Sequence, residues 1–155
     1  DVNQDTLEVL GSGYVTDGRR VYYEGQVLLN ADPASFDFIY DEKTSQPSGY
    51  VMDGDGVYSR FALLENIDPH NFNLQQLENG VNYVADNDSV YIGSHELVGL
   101  NPTAVSERHG STILTDGELT FWLVAEGCHG PGGYTSDKAY IIRVFGSVDD
   151  YRPPC

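Results

Sequence analysis

The chain has 155 residues, of which 40% are hydrophobic, so it is long and apolar enough to form the core of one domain. It carries 24 acidic and 8 basic residues, giving a formal net charge of -16 at pH 7. A field of this sign repels nucleic-acid phosphates and anionic lipid head groups. We therefore expect neither nucleic acid nor a bare membrane surface as the partner. The charge favours a basic protein or cations, or else serves solubility alone.

Three segments of the chain repeat one another without a gap, at a spacing of about 33 to 36 residues. They cover residues 13–23, 49–59 and 82–92, and each combines an aromatic strand, an acidic turn and a strand with Val-Tyr at its centre. Further matches continue downstream in the same register: Leu28, Leu64 and Leu97; Asp32, Asp68 and Asn101, each followed by Pro; and Phe36, Phe72 and Val105. A weaker fourth copy over residues 113–122 keeps the turn and its flanking strands, and we expect it to cap the array.

The first predicted element of each copy is a β-hairpin. Its turn contains Asp followed by Gly or Asn, residue types that tolerate the positive φ angles of a tight reversal. The turn aspartates are Asp17, Asp53, Asp86 and Asp116. After the Val-Tyr strand, a second break and a third apolar strand lead to the repeated Leu. Each copy is therefore predicted to be a three-stranded meander.

The next predicted element is a helical turn that begins at the repeated Asp-Pro or Asn-Pro pair. Asp or Asn at the N-cap accepts free backbone N–H groups, and Pro suits the first helical position because it has no N–H of its own. The Phe or Val four residues after the cap is expected to fold back onto the strands of its own copy. Because one copy cannot bury this face alone, we expect neighbouring copies to stack.

Together these elements predict a mainly β fold class: tandem β-meander repeats with short helical turns after the Asp/Asn-Pro caps. We expect a single domain over residues 1–155. Its predicted parts are repeats at about 13–48, 49–81 and 82–110, a degenerate copy at 111–122 and a C-terminal extension at 123–155.

The two cysteines, Cys128 and Cys155, both lie in the C-terminal extension and show no metal-ligand spacing. We expect them to form a disulfide, which favours an oxidising compartment. No apolar run approaches the roughly 20 residues that span a bilayer. No transmembrane segment is therefore expected in this chain, while a lipid anchor or signal peptide upstream of residue 1 stays open.

The repeated pattern resembles the DKNYY repeat family of bacterial, mostly exported proteins. The resemblance depends on Tyr14, on Asp17 in the turn, on the strand Val21-Tyr22-Tyr23, on Asp32-Pro33 through Phe36, and on their counterparts in the later copies. It spans residues 13 to about 122. It implies a repeat fold and a periplasmic, cell-surface or secreted location, and it brings no catalytic motif.

Several patterns suggest site chemistry without defining a site. The acidic turns at residues 53–56 and 86–89 resemble calcium-binding loops, but Val57 and Val90 occupy the third-ligand position. The four histidines have no partners at zinc-binding spacing. Carboxylate pairs would serve hydrolysis of cell-wall or polysaccharide material, although a sequence does not measure their separation. A hydrolase and a calcium- or glycan-binding surface module stay as alternatives, and no metal or cofactor is assigned.

The tyrosines and carboxylates that lie outside the repeat pattern are the candidate binding residues. Tyr offers a large contact area at low entropic cost. Two acidic and aromatic patches qualify: Asp37, Tyr40, Asp41 and Glu42, and Asp149, Asp150 and Tyr151. With no catalytic motif, we expect a non-enzymatic exported protein that binds and blocks a basic protein, as an inhibitor or a toxin-immunity protein would.

Overall fold

The computed structural model describes residues 6–78, 80–107, 113–124 and 140–145. Within these ranges the chain forms four consecutive antiparallel sheets, each with its strands in sequence order. Sheet A contains β1 (Glu8–Gly11), β2 (Tyr14–Thr16), β3 (Val21–Tyr23) and β4 (Gln26–Val27). Sheet B contains β5 (Asp37–Tyr40), β6 (Pro47–Met52), β7 (Val57–Ser59) and β8 (Ala62–Leu63). Sheet C contains β9 (Asn73–Gln76), β10 (Asn82–Ala85), β11 (Val90–Ile92) and β12 (His95–Glu96). Sheet D contains β13 (Ser106–Glu107), β14 (Ile113–Thr115), β15 (Leu119–Val124) and β16 (Tyr140–Phe145).

This architecture confirms the mainly β fold class and the tandem meanders. The predicted hairpin is the centre of every sheet, with the same register each time: Val15 opposite Tyr22, Val51 opposite Tyr58, Val84 opposite Tyr91 and Leu114 opposite Phe121. The prediction of three strands per meander is wrong, because each sheet has four. The additional strands β1, β5, β9 and β13 come before the hairpins, and polar segments such as Asn73–Gln76 show little strand alternation in the sequence.

The turns predicted at the Asp-Pro and Asn-Pro pairs are present in all three copies. Asn101 caps a 3₁₀ helix over Pro102–Ala104, where its side chain accepts from the Thr103 N–H. Asp32 and Asp68 make the same bonds to the N–H groups of Ala34 and His70, but they cap single turns that do not continue as helices. The capping interpretation is therefore confirmed at each position, with a regular helical turn only at the third.

Consecutive sheets pack against each other through opposite faces. We call the face that carries Tyr14, Tyr50 or Tyr83 the front face, and the face that carries Val15, Val51, Val84 or Leu114 the back face. Each hydrophobic cluster joins the front of one sheet to the back of the next: Tyr14, Val21 and Leu28 meet Val51 and Tyr58; Tyr50, Val57 and Leu64 meet Val84 and Tyr91; Tyr83, Val90 and Leu97 meet Leu114 and Phe121. Stacking of the copies is thus the source of the core.

The repeated Phe or Val packs as expected onto the strands of its own copy. Phe36 lies beside Tyr14, with ring centroids 5.4 Å apart, and Phe72 and Val105 pack against the second and third clusters. Cys128 and Cys155 lie outside the described residues, so the predicted disulfide stays a prediction. Among the residues described, no helix is long and apolar enough to cross a membrane.

Candidate functional site

The turn aspartates, which suggested calcium in the sequence, are hydrogen-bond acceptors that build the scaffold. Asp53 is 1% exposed, and its Oδ1 accepts from the N–H groups of Asp55 and Gly56 at 2.9 and 2.7 Å. Its Oδ2 accepts from the Tyr58 hydroxyl at 3.1 Å and from the Asp32 N–H at 2.8 Å. One oxygen therefore closes the hairpin turn, and the other binds the connection that leaves the preceding sheet.

The two carboxylate oxygens of the turn aspartate have the same separate partners in the later copies. Asp86 Oδ2 accepts from the Asp68 N–H at 2.9 Å, and Asp116 Oδ2 accepts from the Asn101 N–H at 2.8 Å. Their Oδ1 atoms accept from the N–H groups of their own turns. Within the described part of the chain, no group of three or more His, Cys, Asp or Glu side chains is arranged to hold a metal ion. The acidic turns are thus accounted for by folding.

A different carboxylate positions the candidate site. Asp41 opens the loop between β5 and β6, and its Oδ1 accepts from the N–H groups of Lys43 and Thr44 at 2.8 and 2.9 Å. Its Oδ2 accepts from the side-chain Nε2 of Gln76 on β9. The loop of sheet B is in this way attached to the first strand of sheet C. The N–H groups of Thr44 and Lys43 hold the pKa of the Asp41 carboxyl below its usual range.

A cleft of about 620 Å³ lies between the β5–β6 loop and β9. Tyr40, Glu42 and Lys43 line it from the loop side, and Phe72, Asn73, Leu74, Gln75 and Gln76 line it from sheet C. β5 and β9 are the first strands of their sheets and lie at the sheet edges. The cleft therefore runs between two sheet edges and combines aromatic rings with side-chain amides.

Tyr40 is the aromatic group that the cleft offers most openly. Its side chain is 53% exposed, and its ring lies 6.4 Å from that of Phe38, centroid to centroid. The neighbouring Glu42 and Lys43 are exposed as well. On the opposite wall, the Gln75 Oε1 accepts from the Tyr83 hydroxyl, and the Gln76 Nε2 binds Asp41, so both amides are held in place. The site presents one open ring and one open carboxylate beside the edge strand β9. We call the amide side chains of Asn73, Gln75 and Gln76 on this strand the amide wall; Gln76 lies on the back face of sheet C, and Asn73 and Gln75 lie on its front face.

The structure brings some of the sequence-predicted binding residues together and separates others. Tyr40, Asp41 and Glu42 all line the cleft, but Asp41 is only 4% exposed and its carboxylate is used within the chain. Asp37 is exposed at the start of β5, where its carboxylate accepts from the Phe38 N–H, and it does not line the cleft. The second predicted patch, Asp149, Asp150 and Tyr151, lies outside the described residues.

Sequence reasoning missed the amide wall. Gln75 and Gln76 occupy the repeat positions of Ile39 and Tyr40, so the amides break the pattern at the place where sheet C faces the loop. Asn82 was also missed, because it appeared only as a variant of Gly13 and Gly49. The signal that could have found these residues is the departure from the repeat, the same signal that singled out Tyr40.

A second cavity of about 440 Å³ lies beside the cleft and shares Asn82 with it. Its lining includes Tyr14, Tyr23, Phe38 and Tyr50. The Asn82 Nδ2 donates to the Ser48 carbonyl at 3.1 Å, and this bond fixes the wall between β6 and β10. The Asn82 Oδ1 is buried and has no hydrogen-bond partner among the described residues. Because it is closed to solvent, this oxygen is not offered to a ligand.

Comparison with known proteins gives one family and no individual relative. Residues 1–60, which contain sheet A and most of sheet B, match the model of the DKNYY family. No curated protein and no solved structure matches the chain. The resemblance drawn from the repeated motifs is confirmed for these residues.

Proposed function

Because residues 1–60 match the model of the DKNYY family, we propose that this chain is an exported, non-enzymatic protein that binds and blocks a basic protein. The observation that carries the proposal is the cleft between the β5–β6 loop and β9. It contains the exposed ring of Tyr40 and the exposed carboxylate of Glu42, both outside the repeat pattern. A binding site is expected in residues that the scaffold does not need.

Recognition would begin with electrostatic attraction. A chain with a formal charge of -16 attracts a basic protein over a distance and raises the rate of encounter, and salt weakens this effect. At the cleft, the Glu42 carboxylate is placed to pair with a Lys or Arg of the partner. Such a cation also interacts favourably with the face of a nearby ring such as Tyr40.

The amide wall would supply specificity rather than attraction. Gln76 is a neutral side chain on the same face of β9 as Leu74, and its amide can donate and accept hydrogen bonds, as the backbone of a partner segment requires. Asn73 and Gln75 lie on the other face of this edge strand. Gln76 is held by Asp41, so the wall is ordered before the partner arrives. A prepared site loses less entropy on binding. A protein held in this cleft would have its own basic surface covered, as in an inhibitor or toxin-immunity complex.

The proposal is tested by capture of partners from the source organism with the immobilised chain, at low and moderate salt. We expect a basic protein to be retained by the wild-type chain and lost with the variant Tyr40→Ala/Glu42→Lys. The matched control is Phe61→Ala/Glu65→Lys, which makes the same chemical changes at an exposed Phe and an exposed Glu outside the cleft. Retention of no protein, or equal loss with both variants, would contradict the proposal.

A further inference from the structure

The cavity of about 440 Å³ beside the cleft lies where the ends of three successive hairpins come together. Each hairpin contributes residues from the end remote from its acidic turn: Tyr14 and Tyr23 from sheet A, Tyr50 and Ser59 from sheet B, and Ile92 from sheet C. Apart from Asn82, none of the described residues that line this cavity lines the cleft. A cavity of this size is large enough for a small organic ligand.

A small residue at one position of the repeat contributes to the open space. Ser59 occupies the position that Tyr23 has in the first copy and Ile92 has in the third. It is 7% exposed, and its side chain makes no hydrogen bond within the described part of the chain. Its Oγ lies 4.0 Å from the point where a Cβ on Gly93 would stand, and both residues line the cavity. Because buried hydroxyls usually have a hydrogen-bond partner, the Ser59 hydroxyl is a group that a ligand can bind.

The charge of the cavity is opposite to that of the chain, whose formal net charge is -16. Among the described residues that line it there is no Asp or Glu, and Arg60 carries the one charge. Arg60 is exposed and forms no ion pair with a described carboxylate. Burial raises the pKa of the Tyr14 hydroxyl, and the positive charge of Arg60 opposes this rise, so the guanidinium lies within electrostatic reach of the cavity wall. The first copy has Glu24 at the position of Arg60, and Glu24 does not line the cavity.

We propose that this cavity binds a small organic anion, a carboxylate whose apolar body is an aromatic ring. Tyr14, Tyr23 and Phe38 line the cavity with aromatic rings, which pack favourably against another ring. The Arg60 guanidinium pairs with the carboxylate, since its N–H groups match the two oxygens of that group. The Ser59 hydroxyl offers a further hydrogen bond inside the cavity. A cationic ligand would find no carboxylate there, and a neutral one would leave Arg60 without a partner.

Isothermal titration calorimetry of the full chain with naphthoate tests this site, at moderate salt so that the net charge is screened. Naphthamide and naphthylmethylamine carry the same rings with a neutral and a positive group. We expect the wild-type chain to bind naphthoate about tenfold or more tightly than either of them, because only the carboxylate pairs with Arg60. In Arg60→Gln, naphthoate should bind only as weakly as naphthamide. Since Arg60 is exposed, this variant should keep the wild-type circular dichroism.

Arg19→Gln is the matched control, because Arg19 is an exposed arginine in an acidic turn and does not line the cavity. It removes the same charge and should bind naphthoate like the wild-type chain. Ser59→Ile introduces the residue that the third copy has at this position, and by filling the cavity it should weaken the binding of naphthoate and naphthamide alike.

The inference is overturned if the wild-type chain binds no naphthoate at millimolar concentration, or if it binds naphthamide or naphthylmethylamine as tightly. Equal affinity of Arg60→Gln and Arg19→Gln for naphthoate would also overturn it. The cleft variant Tyr40→Ala/Glu42→Lys should bind naphthoate normally, and Arg60→Gln should still retain the basic protein. The calorimetry and the partner-capture result therefore stand or fail separately.

Discussion

At the residue scale, the two carboxylate oxygens of each turn aspartate accept hydrogen bonds from two different parts of the chain. In each turn aspartate from Asp53 onward, Oδ1 accepts from the N–H groups of its own turn and Oδ2 accepts from the connection that leaves the preceding sheet. An Asn can bind the first of these partners but not both, because its amide has a single acceptor oxygen. Asp is needed in these turns because its second oxygen must accept the hydrogen bond from the connection that leaves the preceding sheet.

The substitution Asp53→Asn is expected to lower the free energy of unfolding by about 1 to 3 kcal/mol, since the Asp32 N–H would lose its acceptor. Chemical denaturation measures the effect. Asp55→Asn is the control, because the Asp55 side chain is exposed and should change stability by no more than about 0.5 kcal/mol. Equal effects of the two substitutions would contradict the role assigned to Asp53.

Acid should weaken the turn at Asp116. Although burial acts to raise its pKa, the N–H groups of Leu119, Asn101 and Glu118 lower the pKa of the Asp116 carboxyl overall. A carboxyl with a lowered folded-state pKa stabilises the fold above its unfolded pKa of about 3.9, and this contribution is lost as the pH falls through the folded value. The stability difference between wild type and Asp116→Asn should therefore be constant from neutral pH to about pH 5 and shrink below about pH 4. Melting temperatures of the wild-type chain and of Asp116→Asn, measured as a function of pH, give this difference. A difference that grows as the pH falls would refute this explanation.

At the element scale, buried tyrosine hydroxyls connect one sheet to the next. The Tyr50 hydroxyl on β6 accepts from the Gly93 N–H at 2.7 Å and donates to the Asn82 carbonyl at 3.2 Å, both in sheet C. Burial raises the pKa of Tyr50, so the hydroxyl stays neutral and can serve both partners. The corresponding Tyr14 hydroxyl donates to the Arg60 carbonyl of sheet B at 2.9 Å. These tyrosines add directed bonds to the apolar packing between sheets.

Tyr50→Phe should therefore cost about 1 to 3 kcal/mol of unfolding free energy, because the Gly93 N–H would be left without its acceptor. Tyr40→Phe removes the same hydroxyl from a ring that is 53% exposed and should leave stability nearly unchanged. Denaturant titrations of the two variants give the comparison. If Tyr50→Phe is as stable as the wild-type chain, the hydroxyl has no part in joining the sheets.

The elements differ in how well the sequence predicts them. Hairpins, register and cap turns were predictable because local chemistry defines them: Asp-Gly turns, alternating Val and Tyr, and Pro after a capping Asp. The edge strands β5 and β9 were not predicted, although each pairs with the next strand along the chain, because polar residues such as those of Asn73–Gln76 show little strand alternation in the sequence. In the cleft, repeat-breaking residues identified Tyr40 and Glu42, whereas the burial of Asp41 depends on Gln76, 35 residues away.

At the scale of the whole molecule, the dominant property is the net charge of -16. Self-repulsion of this size destabilises a compact chain, and salt screens it. The melting temperature should therefore rise by a few degrees, on the order of 5 °C, between about 10 and 150 mM NaCl. Glu42→Lys/Glu65→Lys, with two exposed carboxylates replaced, should show a smaller rise. A melting temperature that does not depend on salt would contradict this view of the charge.

The whole array is held together by stacking and by the hydrogen bond from each connection to the next turn aspartate. Amide hydrogen exchange measured by NMR, residue by residue, tests this arrangement most directly. The N–H groups of Asp32, Asp68 and Asn101 should exchange slowly, as strand amides do, although the Asp68 and Asn101 bonds are exposed. In Asp86→Asn, protection should be lost at Asp68 and retained at Asp32. Rapid exchange at all three amides of the wild-type chain, or unchanged protection of Asp68 in the variant, would contradict the account.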